Sequence, residues 1–99
     1  MPGVTRDGDA TTTGHGCDAT TTVTGPSTNV FCNSLGVERK TDPTASHDIT
    51  VGVGCVPHTS SISAGSSTVF VNSKAIARIT DACDSGAITG GSTTVFAGG

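Results

Sequence analysis

The stretch GSSTVFVNSKAIARITD, Gly65 to Asp81, sets two short β-branched runs, Thr68-Val69-Phe70-Val71 and Ala75-Ile76-Ala77-Arg78-Ile79, on either side of Asn72-Ser73-Lys74. Runs of that length bounded by turn residues read as strand, turn, strand, because Asn accepts the positive φ that a tight hairpin turn demands. A second version, GPSTNVFCNSLGVERKTD, occupies Gly25 to Asp42 with one extra residue, and a third, GSTTVFAGG, starts at Gly91 and meets the chain end. The alignment superimposes Val30-Phe31, Val69-Phe70 and Val95-Phe96, so all three Phe residues share one repeat position and are expected in the core. Similar punctuation recurs in RDGD (Arg6 to Asp9), RKTD (Arg39 to Asp42) and RITD (Arg78 to Asp81). Each Arg and Asp, three apart, is expected to pair or cap a turn, a structural role, since an exposed ion pair contributes only about 0–1 kcal/mol.

The totals narrow the class. Ninety-nine residues fit one domain, with hydrophobic residues at 33% and neither Tyr nor Trp, so the core is thin and a staple is expected. Four cysteines would allow disulfides, but Met1-Pro2-Gly3 opens with no basic start or apolar run that would mark a secretory signal. Synthesis in a reducing cytoplasm then favours a metal or free thiols. A net charge of -3 without a basic cluster makes nucleic acid a poor partner. No apolar stretch approaches the roughly 20 residues of a membrane-spanning helix. With no helical periodicity, the expected class is all-β.

Ligand-type residues fall between the copies: His15 after Asp9, His47 after Asp42, Cys83 after Asp81, and His58 before Gly65. Three imidazoles and one thiolate suit tetrahedral zinc, and four protein ligands leave no open position, which makes the expected site structural. Cys17 in HGC and Cys55 in CVPH also lie close to histidines, and either could supply the sulfur instead. Cys32 aligns with Val71 inside a strand and reads as a small buried hydrophobe. Two other classes are open at this stage. A zinc-dependent hydrolase would need an open coordination position and a base, for which Asp48 beside His47 is the suggestive carboxylate. A Thr-rich β-solenoid binding module would need regular T-x-T ladders, whereas ATTTGHGCDATTTV is irregular and reads as loop and edge strand.

Gly8-Asp9 with His15 after it, GSSTVFVNSKAIARITDAC from Gly65 to Cys83, and the closing GSTTVF from Gly91 resemble the PAAR-repeat family, over nearly the whole chain from Arg6. Lys74-Ala75-Ile76-Ala77-Arg78 and Leu35-Gly36-Val37-Glu38-Arg39 stand where that family commonly has Pro-Ala-Ala-Arg. The resemblance implies a small cone of three β-hairpin-like repeats with pseudo-threefold symmetry and a metal site near the apex. It implies zinc, with iron the lesser alternative, on His15, His47, His58 and Cys83. The implied function is not enzymatic. The monomer would cap a homotrimeric β-helical spike, VgrG-like or of a phage tail, and sharpen it for piercing a target cell envelope, meeting the target membrane transiently. Such a protein would sit on the tip of a phage tail or of a secreted type VI injection spike, with effector proteins as further partners. Residues 1–99 are expected to form a single PAAR-repeat domain without an effector extension.

Overall fold

The computed structural model describes residues 1–99. It is all-β, with ten short strands in five antiparallel pairs: β1 (Ala10–Thr12) with β2 (Thr20–Thr22), β3 (Phe31–Cys32) with β4 (Leu35–Gly36), β5 (His47–Val51) with β6 (Gly54–His58), β7 (Phe70–Val71) with β8 (Lys74–Ala75), and β9 (Ala82–Cys83) with β10 (Gly86–Ala87). The ribbons are joined by isolated bridges into a body of 41 × 23 × 23 Å. Two equal short axes are what approximate threefold symmetry about the long axis requires.

The expected hairpins exist but are shorter than the sequence suggests. Asn33-Ser34 and Asn72-Ser73 all have positive φ and close β3–β4 and β7–β8 as two-residue turns. Beyond each turn the chain leaves its own hairpin and bridges its neighbours, Arg6 to Val37, Arg39 to Ile76 and Val4 to Arg78. The third copy is completed by the chain's other end. Gly3 bridges Phe96, the Val4 amide donates to the Val95 carbonyl, and the Ala97 amide donates to the Pro2 carbonyl. On the axis the Thr5 amide donates to Ala77, Ala77 to Glu38 and Glu38 to Thr5, each at 3.0 Å.

Each repeat then uses the same devices. The hydroxyls of Ser27, Ser66 and Ser92, all buried, accept amides two and three residues on, fixing the entry to each Val-Phe step. The Arg and Asp of each turn pair as expected: in all three, Nε and Nη2 bind the two oxygens of one carboxylate, which also accepts the Arg backbone amide. Arg6 and Arg39 extend their Nη1 to the turn residues Asn33 and Asn72, and Arg78 reaches the Gly98 carbonyl. The clip therefore ties each turn to the hairpin of the next repeat.

Two small cores are stacked along the axis. One holds Val4, Val37 and Ile76 with Cys32, Val71 and Ala97; the other holds Val23, Ile62 and Ile88 with Ala77 and Cys83. Cys32 is buried as its alignment with Val71 implies. The phenylalanines are not in either core. Phe31, Phe70 and Phe96 are 61%, 60% and 49% exposed, because strand alternation turns Cys32, Val71 and Ala97 inward and the adjacent Phe outward. Together with the exposed Val30, Val69 and Val95 they make an apolar face at the end of the body away from the histidines.

Glu38 is the one discordant axial residue. Thr5, Glu38 and Ala77 are equivalent and fully buried, yet both Glu38 carboxyl oxygens lack a hydrogen-bond partner. Burial, reinforced by Asp42, Asp7 and Asp9 against the opposing Arg39, pushes its pKa up to about 9. The folded chain then holds a proton that the unfolded chain releases above its ordinary value of 4.5. Stability from this group is fully present below that value and falls as pH rises towards 9. Between pH 4.5 and pH 7 the loss is about 3 kcal/mol. Glu38→Gln is expected to flatten this slope in thermal melts taken from pH 5 to pH 9 and to raise the melting temperature most at the alkaline end.

Candidate metal centre

The site is built by the three connections between repeats. The β1–β2 ribbon carries His15 in its loop, the β5–β6 ribbon brings His47 and His58 directly opposite one another, and the β9–β10 turn carries Asp84. These ribbons are held together by the bridges Thr11 to Ile88, Val23 to Thr44 and Ile62 to Cys83. The loop and turn lie close: the Ser85 amide donates to the Thr13 carbonyl at 2.9 Å, and a Cβ at Gly14 would collide with the Ser85 backbone. Gly14 has φ of +73°, so both space and conformation call for glycine there.

Three imidazoles meet with ring centroids 5.0 to 5.2 Å apart. Their Nε2 atoms and the Asp84 carboxylate converge, with His15 and His47 at 2.8 and 2.9 Å from Oδ2, His58 at 3.5 Å from Oδ1, and 3.2 Å between the two Nε2 atoms of His15 and His47. These ligand atoms all lie within 4.8 Å of one another. The far nitrogens are committed elsewhere. His47 Nδ1–H donates to the Ala45 carbonyl at 2.9 Å and His15 Nδ1–H to the Gly16 carbonyl at 3.1 Å, which leaves their Nε2 lone pairs facing the centre. Two such lone pairs cannot face each other at 3.2 Å without a cation between them. Tetrahedral zinc with bonds near 2.0–2.1 Å would separate its ligands by about 3.3 Å, close to the spacing seen. The donor set therefore fits a metal ion.

Electrostatics agree. Burial pushes the Asp84 carboxyl up, but hydrogen bonds from His15, His47 and His58 outweigh it and hold the group below its usual range. The bond to the Gly16 carbonyl raises His15, with burial opposing and Asp84 adding to the rise.

The sequence-expected set is brought together except for its sulfur. His15, His47 and His58 converge, whereas Cys83 lies fully buried in the upper apolar core. Its bridge to Ile62 makes it the threefold counterpart of Thr11 and Thr44, both of which also point inward. Burial raises the Cys83 thiol, against a lowering contact with Thr11. The following residue, Asp84, has φ of +55° and places its carboxylate among the three imidazoles. The motif Asp81-Ala82-Cys83-Asp84 held both candidates, and strand alternation decides between them. Cys17 and Cys55 are not ligands either. They form a disulfide across 38 residues, contrary to the expected free thiols, because the Cys17 to Ile49 bridge lays the β1–β2 loop beside the β5–β6 ribbon. By loop-closure entropy such a link contributes on the order of 4 kcal/mol. Asp48, the carboxylate considered as a base, pairs opposite Pro57 on the reverse face of the ribbon from His47 and His58. The Thr run that read as loop and edge strand forms β1–β2, with Thr11 and Thr13 buried.

A pseudo-threefold all-β body, with its metal-type cluster assembled from the inter-repeat connections, is the class that these observations define. A family model of the PAAR motif matches residues 7–89, and the chain belongs to that family. No curated protein matches it.

Elemental analysis is expected to find one metal per chain, held after Cys83→Ser and lost after Asp84→Ala. X-ray absorption should show nitrogen and oxygen neighbours only; a sulfur neighbour near 2.3 Å would restore Cys83 to the site.

Proposed function

We propose that this chain is the tip of a contractile injection spike, seated by its Val-Phe face on the blunt end of a homotrimeric β-helical spike protein and stiffened by zinc at the other end. PAAR motifs are consistent with spike tips of secretion and injection systems. The observation that carries the reading is the exposure of the same dipeptide three times around one axis. A soluble monomer seldom leaves Phe31, Phe70 and Phe96 in water without a partner for them, and a threefold apolar face is complementary to a threefold end. The termini and the β3–β4 and β7–β8 hairpins carry that face and would offer backbone groups to spike strand edges.

Zinc rather than iron is the proposed ion, because three imidazoles and one carboxylate fill its preferred four positions. His15, His47, His58 and Asp84 would hold it, tying together three ribbons that are separate in sequence. Its role would be mechanical: a small domain that cannot bury much apolar surface resists load better when its connections are bonded to one centre. Phage tail and bacterial secretion apparatus are both compatible with this reading.

Native mass spectrometry of the chain mixed with the β-helical spike trimer of its own genome should give a complex of one chain to three spike subunits. Phe70→Asp should abolish it while leaving the stability of the free chain within about 1 kcal/mol of the parent, since the ring is already exposed. A complex that ignores Phe70→Asp, or none at all, would remove the docking proposal.

A further inference from the structure

The β5–β6 ribbon does not stop at the metal-type cluster. His47 and His58 are its first cross-strand pair, followed by Asp48 with Pro57, Ile49 with Val56, Thr50 with Cys55 and Val51 with Gly54. At about 3.4 Å per residue the arm runs roughly 15 Å past the histidines. It ends in Gly52-Val53, where Gly52 has φ of +59° and Val53 is entirely exposed, at 111%. From Ile49 to Pro57 no residue carries a charge.

Alternation sorts the arm's two faces. Ile49, Val51 and Val56 lie on the face that also bears the two histidines, while Thr50 and Cys55 lie on the other. The second face is braced at two points while its residues stay exposed: Gly16 packs against Thr50, and Cys17 is bonded to Cys55. The root is held as well, by the Asp18 amide on the Asp48 carbonyl and the Asp48 amide on the Asp18 carboxylate. The face without such a brace is apolar and ends in an apolar tip, with Val51 58% and Val56 43% exposed.

We infer that this arm is a lipid-contacting probe whose valine tip enters the interfacial region of a phospholipid bilayer. The shape argues for lipid over a protein partner. A stable protein interface buries about 800 Å² on each side, which a ribbon two strands wide, about 5 Å between strands, does not offer. A bilayer asks only for apolar area and absence of charge, and needs no complementary contour. The same geometry limits the depth. The outer edge of β6 pairs with nothing, and unpaired backbone groups are costly in hydrocarbon, so only the closed tip around Val51 to Gly54 enters. With a net charge of -3 and no basic residue on the arm, contact gains nothing from anionic lipid.

The inference deepens the spike-tip reading by naming the surface met first, and its test uses the free chain, so that failure here and failure of spike docking are separate results. Because the chain contains no Trp or Tyr, Val53→Trp places a single reporter at the tip, and Phe70→Trp a matching one on the opposite apolar face. Each is titrated with phosphatidylcholine vesicles. The expected result is a blue shift and quenching by brominated lipid for Val53→Trp alone, insensitive to salt, with Val51→Asp in that background weakening partition by at least ~10-fold. An unshifted Val53→Trp, or an equal or larger shift for Phe70→Trp, overturns the inference.

Discussion

Three backbone hydrogen bonds around one axis, from Thr5 to Ala77, Ala77 to Glu38 and Glu38 to Thr5, are the closure on which the rest of this structure depends. No sheet here exceeds two strands, and a lone two-stranded ribbon is marginal in water. The ring turns three repeats into one body, and it does so by pairing Pro2 to Val4 at the chain start with Val95 to Ala97 near its end. The Arg–Asp clips reinforce it by bonding each turn to the next repeat. Above the ring, Val23, Ile62 and Ile88 repeat the pattern, and only above them does symmetry give way to the cluster of three histidines and one aspartate.

Departure from symmetry coincides with the histidine cluster and the longest ribbon. The connections differ in length, so the three ribbons they form are unequal, and the longest becomes both a two-histidine ligand platform and a projecting arm. Glu38 departs in the other direction. It occupies an axial position that Ala77 and Thr5 fill without penalty, and nothing in the structure explains a carboxyl there.

Much of the architecture was legible because the repeat is written in the chain: Asn turns, paired Arg and Asp, and inward Cys32 all follow from aligned copies. The phenylalanines and the fourth position beside the histidines share one physical difficulty, the choice of face. The aligned phenylalanines suggested a core, but in a strand a conserved spacing says only that side chains point the same way, and here that way is outward. Cys83 and Asp84 are adjacent, and a one-residue alternation exchanges thiol for carboxylate. The Cys17–Cys55 bond was hidden for a different reason, since compartment arguments say nothing of a loop laid beside a ribbon by a bridge, Cys17 to Ile49, between segments distant in sequence.

Closure by the ring makes an unusual demand on a residue five from the chain start. Native-state hydrogen exchange measured amide by amide tests it most directly. Thr5, Glu38 and Ala77 should exchange together, at the free energy of global unfolding, whereas a Thr5 amide exchanging as fast as a fraying terminus would contradict the account.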